Sequence, residues 1–156
     1  MQTLELFRQL FEFNNWSNGL ILTSLQKSPK PSEPAVRAFA HLLLAEKVWL
    51  QRILEGVDNT GFDFWSGKNV VFCELLFEEN RKSLGQFFSG LTEEKLDNVT
   101  HYKNSRGEPY SNTIREVLTH LFLHSGHHRG QILTHIRAGG EEPPYVDFIG
   151  FLRQKF

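Results

Sequence analysis

Three histidines recur at intervals of four within one apolar segment of the chain: His120, His124 and His128. The apolar positions around them follow helical spacing. A helix turns by about 100° per residue, so residues four apart lie on the same face, one turn from each other. Two imidazoles at that spacing can bind a single metal ion. This segment therefore predicts half of a metal site, and the other half must come from a different element of the fold.

His41 is the best candidate for the remaining ligand. It lies at the edge of an apolar face in a second predicted helix, where alanines at positions 38, 40 and 45 leave room for a neighbouring helix or a ligand. Three imidazoles with one position open to water are typical of catalytic zinc, whereas structural zinc sites use four protein ligands. The same donors suit nickel, iron or copper. The sequence thus predicts a divalent ion, with zinc or nickel favoured and iron as a further option.

The alternative is that these histidines are core residues hydrogen-bonded to protein groups. His124 and His128 lie between Leu121 and Ile132 in the predicted buried stripe of their helix. An unpaired imidazole in a core costs about 1–3 kcal/mol, and a shared ion supplies a partner to both rings. For this pair, metal binding is the favoured interpretation.

Spacing excludes two other kinds of metal site. A zinc-protease helix needs His-Glu-x-x-His, but Ser125 follows His124 and no His-Glu pair occurs in the chain. A di-iron carboxylate bundle needs Glu-x-x-His on two helices, whereas Glu116 precedes His120 by four residues. His120 is therefore interpreted as a neighbour of the site, not as a bridging-ligand partner.

The residues beside the last histidine have several interpretations. Adjacent residues on a helix diverge by about 100°, so a solvated or supporting role for His127 is favoured over direct ligation or proton shuttling. Arg129 is interpreted as a surface residue in preference to a charge that holds an anionic substrate group. Gly130 would permit close approach of a facing helix. Gln131 could hydrogen-bond a ligand imidazole and fix its tautomer.

The periodicity of apolar residues predicts an all-α fold. Four long helices are expected at residues 3–26, 32–55, 69–89 and 113–139, with a β-hairpin at 99–111 and a short last helix at 146–155. Ser32 is a candidate cap for the second helix, and Thr113 with Glu116 forms a capping box that starts the fourth. The expected architecture is an up-down four-helix bundle with a small hairpin before its last long helix.

Composition restricts the class of protein. The 156 residues fit one domain spanning the chain, and a net charge of −1 offers no basic surface for nucleic acid. No apolar run approaches the ~20 residues of a membrane span, and no secretory signal is visible at the N-terminus. The one cysteine, Cys73, is compatible with a reducing cytoplasm and is expected to be a buried, inert thiol. We therefore expect a cytoplasmic protein that binds neither nucleic acid nor membrane.

Three segments give the chain a resemblance to a known family. They are residues 13–20 (Phe-Asn-Asn-Trp-Ser-Asn-Gly-Leu), 41–50 and 120–132, of which the His-Arg-Gly-Gln run at 128–131 is the most specific. The hairpin at 102–107 and the tail around Asp147 also fit. In these segments the chain resembles the DinB-like (damage-inducible) superfamily, which includes thiol-dependent S-transferases. The resemblance covers essentially the whole sequence.

The resemblance implies a four-helix bundle, often a homodimer, in which three histidines hold a divalent metal. Carried over by position, these are His41, His124 and His128, a choice that spacing alone left open against His120 with His124. The chain departs from the family at Ser125, where Glu or another polar residue is frequent, and at His127, where an aromatic is frequent.

The function implied is that of a metal-dependent enzyme acting on a small molecule. It would be a thiol-dependent S-transferase using a low-molecular-weight thiol, or a hydrolase. The alternative is a non-catalytic metal-binding or stress-response protein whose ion is structural.

Overall fold

The structure is a computed structural model that describes residues 1–154. Its α-helices are α1 (Thr3–Lys27), α2 (Glu33–Glu55), α3 (Val70–Gly90), α4 (Ile114–Ala138) and α5 (Phe148–Arg153), and its strands are β1 (Val99–Lys103) and β2 (Pro109–Thr113). The predicted fold class is confirmed: an all-α bundle with a hairpin before the last long helix and a short C-terminal helix. Lys155, the expected end of that last helix, lies outside the described residues.

Helix α2 is the centre of the bundle. It packs most extensively against α4 and also against α3, while α1 packs against α3 and α4. Most of its length is apolar and buried, and the buried set includes three polar residues, His41, Glu46 and Arg52. These buried polar side chains must find their partners inside the protein. No helix in the described part of the chain has the length and apolar character needed to cross a membrane.

Local signals fix where the helices begin and end. The Ser32 hydroxyl accepts a hydrogen bond from the Ala35 amide at the start of α2, and Gly56 ends that helix in the left-handed conformation (φ 60°). The capping box of Thr113 and Glu116 is present at the start of α4, as predicted. These caps set the register of the two helices that carry the histidines.

The hairpin leads directly into α4. Its antiparallel strands pair Val99 with Thr113 and Lys103 with Pro109. The second strand is longer than predicted because Thr113 both pairs with β1 and caps α4, so no loop separates strand from helix. This two-stranded sheet tolerates Pro109 because β2 is an edge strand, whose outer side needs no ladder hydrogen bond. The hairpin thereby anchors the first turn of α4.

The segment between α2 and α3 lies tightly against α2 at Gly67. A Cβ at this position would come within 2.6 Å of the Ala40 methyl and 2.5 Å of the Phe72 ring. Glycine therefore lets this loop, which carries Phe64 and Trp65, lie close to the helix. The preceding residues of the loop then reach His41.

We expect Gly67→Ala to destabilise the protein by about 1–3 kcal/mol, because the added methyl overpacks the contact with α2. Gly85→Ala is the matched control, since a Cβ there meets nothing within 4 Å in the middle of α3. That control should gain about 0.5–1 kcal/mol from helix propensity. Urea unfolding followed by circular dichroism measures both, and equal shifts for the two variants would contradict the packing argument.

Candidate metal centre

The structure brings His41, His124 and His128 together between α2 and α4. One nitrogen from each ring lies within 4.8 Å of the others. The ring centroids of His41 and His128 are 4.5 Å apart, those of His124 and His128 are 4.4 Å apart, and those of His41 and His124 are 5.3 Å apart. His120, the competing choice from spacing, is not part of this group. The three side chains could bind one metal ion.

Hydrogen bonds fix the tautomers of two of these rings. His41 Nδ1 lies 3.1 Å from the Phe64 carbonyl oxygen, and His128 Nδ1 lies 2.8 Å from Gln131 Oε1. Both oxygens accept, so each Nδ1 carries a hydrogen and each Nε2 carries a lone pair. The hydrogen bond predicted for Gln131 is thus present. Two of the three rings are held with Nε2 available to a cation.

Burial keeps the cluster unprotonated. Loss of solvation lowers the pKa of all three imidazoles, and neighbouring rings lower it further. The effect is largest for His124, whose pKa falls to about 3. Metal ligation requires neutral imidazoles, and these rings meet that requirement at neutral pH. The donor set therefore fits a divalent cation.

An aromatic wall covers one side of the cluster. The Trp65 ring stacks on His41 with centroids 3.9 Å apart and planes 7° apart, and Phe64 makes an edge contact with the same imidazole. Both come from the loop between α2 and α3. Their role at the site was missed because nothing in local spacing indicates where a loop folds back.

Two further histidines lie beside the cluster. His120 is one turn before His124, with ring centroids 5.4 Å apart, and it makes an edge contact with the Trp49 ring at a centroid distance of 4.9 Å. His127 is exposed, and its Nε2 accepts a hydrogen bond of 3.3 Å from Gln131 Nε2. Gln131 therefore connects His127 to His128. Neither His120 nor His127 belongs to the group of three converging nitrogens.

A buried carboxylate lies behind the site. Glu46 is 2% exposed and accepts hydrogen bonds from the Asn14, Asn18 and Asn80 amides at 2.7, 3.1 and 3.3 Å, and from the Ser125 hydroxyl at 3.2 Å. Burial raises the pKa of Glu46, and these donors oppose that rise. All four partners can donate to Glu46, and the nearby Arg129 guanidinium also lowers its pKa, so we assign this side chain as a carboxylate held inside the bundle.

Arg129 supplies the compensating charge. It is 4% exposed, and its Nη1 donates to Asn14 Oδ1 at 2.6 Å and to Asn18 Oδ1 at 3.1 Å. The two asparagines thus bridge the guanidinium and the Glu46 carboxylate. Burial lowers the pKa of Arg129 to about 10, which still leaves it cationic at neutral pH.

Two sequence interpretations of this segment are wrong. Arg129 is buried because its face of α4 packs against α1. There the side chains of Asn14 and Asn18 accept hydrogen bonds from its guanidinium. Gly130 does not mediate helix contact, since a Cβ there would meet nothing within 4 Å. The signal that could have revealed the network is the presence of polar residues on predicted buried faces, namely Glu46 in an apolar run and Asn14 with Asn18 one turn apart.

Cys73 is buried, as predicted. Its thiol lies 3.8 Å from the Val36 carbonyl oxygen, and burial raises its pKa to about 12. Such a thiol is neither a nucleophile nor a metal ligand at neutral pH. The chemistry of the site therefore rests on imidazoles.

Comparison with family models gives a match over residues 1–155 to the DinB family. The chain belongs to the DinB family. A search of curated proteins finds no match. In this DinB chain, the Glu46 network joins the three segments that carried the resemblance, because each of them contributes a buried polar residue to it.

We expect the metal-free protein to lose stability as the pH falls from 6.5 towards 3. His124 is unprotonated in the folded state down to about pH 3, whereas the unfolded chain takes up this proton near pH 6.5. The folded state therefore binds fewer protons in this range, and acid favours unfolding. Urea unfolding midpoints at a series of pH values measure the slope of stability against pH. His124→Gln should flatten it, while exposed His101→Gln should not; identical slopes for all three proteins would refute this assignment.

We expect Arg129→Met to cost about 3–5 kcal/mol of unfolding free energy, because it leaves the Glu46 carboxylate buried without a compensating charge. The double variant Glu46→Gln/Arg129→Met should recover part of that loss. Arg137→Met, at an exposed position on the same helix, serves as the control and should stay within about 0.5 kcal/mol of wild type. Equal unfolding free energies for the Arg129 and Arg137 variants would mean that the pair contributes nothing.

Proposed function

We propose that this DinB-family protein is a divalent-metal-dependent enzyme in which His41, His124 and His128 hold the ion and leave a coordination position open. The observation that carries the proposal is the convergence of three neutral imidazoles from two helices. No fourth His, Cys or carboxylate among residues 1–154 joins that group. Three protein donors with a vacant position are characteristic of catalytic sites.

A bound divalent ion would supply a nucleophile at neutral pH, because it lowers the pKa of coordinated water to about 7 and deprotonates a coordinated thiol. The proposed reaction is transfer of a low-molecular-weight thiol to an electrophilic small molecule. The thiol loses its proton, a carbon–sulfur bond forms, and the leaving group departs with the electron pair of the bond that breaks. Hydrolysis is the same displacement with water in place of the thiol.

The protein's own residues position this chemistry. The Phe64 carbonyl and the Gln131 amide orient two ligand rings, and such partners typically matter for metal affinity by about 10- to 100-fold. Trp65 covers the His41 ring and keeps water from that side. The Glu46 network fixes α2 against α4.

Nitrogen-only donors favour zinc or nickel, with iron as a further candidate. By analogy with the family, we also propose a cytoplasmic homodimer.

Metal analysis tests the ligand set. We expect wild-type protein to bind about one zinc or nickel ion per chain, and His41→Gln and His128→Gln to lose it, because each removes one of three donors. His101→Gln, on β1 and away from the cluster, should retain the ion. Mass spectrometric metal analysis after dialysis gives the stoichiometry. Wild-type protein that stays metal-free in the presence of added zinc, nickel and iron would overturn the proposal.

Cobalt substitution separates the enzyme from the non-catalytic alternative. With an open position, the visible spectrum of the cobalt protein should shift when a thiol such as 2-mercaptoethanol is added. An unchanged spectrum would indicate a closed shell and a structural ion. Conjugation of a thiol to a chromogenic aryl halide by the loaded protein, but not by His128→Gln, is the corresponding activity expected.

A further inference from the structure

A cleft of about 850 Å³ opens beside the histidine cluster, between the first turns of α2 and the second half of α4. Two residues of its wall also contact the cluster: Trp65 stacks on His41, and Gln131 hydrogen-bonds His128. Its volume falls within the range of about 300–1,000 Å³ typical of small-molecule sites. The three imidazoles do not line the cleft themselves, but these two side chains place it beside their cluster.

Arg37 gives the cleft its positive charge. Its guanidinium carbon lies 5.3 Å from the centre of the Trp65 ring, and the side chain is exposed in the cleft. No carboxylate in the described part of the chain forms an ion pair with it. Arg37 precedes His41 by one helical turn, so the charge and the ligand share a face of α2. A guanidinium offers paired donors that match a carboxylate.

The rest of the rim limits the charge of the ligand. Glu33, one turn before Arg37, is the acidic residue of the cleft lining, and His127 and His135 contribute ring nitrogens. One arginine opposed by one glutamate suits a ligand with a single negative group and disfavours a polyanion. The flat face of Trp65 provides an apolar surface for the body of such a ligand.

Resting on the proposed function, we infer that this cleft binds a small molecule through a carboxylate held by Arg37, with its reactive end at the histidine cluster. Arg129, for which the sequence left such a role open but favoured a surface position, is engaged by Asn14 and Asn18 in the core. The carboxylate belongs either to the thiol or to the electrophile that accepts it. Matched probes distinguish these two sources.

The thiol is tested with cobalt-loaded protein and two thiols, 3-mercaptopropionate and 2-mercaptoethanol, which differ by a carboxylate in place of a hydroxyl. If the thiol carries the carboxylate, the cobalt spectrum should titrate at about tenfold lower concentration of mercaptopropionate, a ratio that corresponds to one charge-assisted contact. Arg37→Gln should abolish that preference. Arg137→Gln, on the exposed end of α4, should retain it.

The thiol-free arm uses propionate and metal-free protein, so it does not depend on metal binding. Propionate should shift the Trp65 indole resonance in an NMR titration of wild type and of Arg137→Gln, but not of Arg37→Gln. If propionate shifts this resonance but the cobalt protein shows no preference between the two thiols, the carboxylate belongs to the electrophile. Glu33→Gln should strengthen binding of either carboxylate probe, because it removes the opposing charge.

The outcomes separate the two proposals. If cobalt does not bind but propionate still shifts Trp65 through Arg37, the proposed function fails and the carboxylate site stands. If cobalt binds and thiols shift its spectrum, yet neither carboxylate probe depends on Arg37, the carboxylate site is wrong and the proposed function stands.

Discussion

The position of every long helix depends on the buried carboxylate of Glu46. It accepts hydrogen bonds from Asn14 and Asn18 on α1, Asn80 on α3 and Ser125 on α4, while it lies on α2 itself. A buried charge that loses a partner is costly, so a shift of any one helix against α2 is penalised. Because Ser125 directly follows His124, and Glu46 lies five residues after His41, the same interaction sets how the ligand-bearing helices face each other.

The electrostatics of the site follow from this arrangement in two layers. The inner layer holds a full negative and a full positive charge, joined by asparagine side chains whose amide donates to one and accepts from the other. The outer layer is a group of uncharged imidazoles that burial keeps unprotonated. The charge of the inner layer is cancelled within the protein, so it places no fixed net charge behind the imidazoles. A cation would bind through the lone pairs of these imidazoles, and the net charge of the occupied site would be that of the cation.

Local patterns in the sequence predicted the local parts of the structure. The capping box at Thr113, the end of α2 at Gly56 and the hydrogen bond of Gln131 to His128 all join residues no more than four positions apart, and all are present. The convergence of His41 with α4 depends on how two helices are aligned, which periodicity does not determine; the family resemblance gave that choice. Arg129 was misjudged because its acceptors are 111 and 115 residues away. Trp65 was missed because a loop's return path leaves no periodic signal.

The residues that hold the bundle and those that line the cleft are different sets. Glu46 and Arg129 are buried, whereas Arg37, Trp65 and His127 lie at an exposed rim. Exposed positions away from buried networks usually tolerate substitution at little cost in stability. Ligand preference at the rim can therefore drift by single substitutions while the helices and the imidazole cluster remain in place. Such a separation makes the scaffold evolvable: one bundle can be redirected to new small molecules without first having to be refolded.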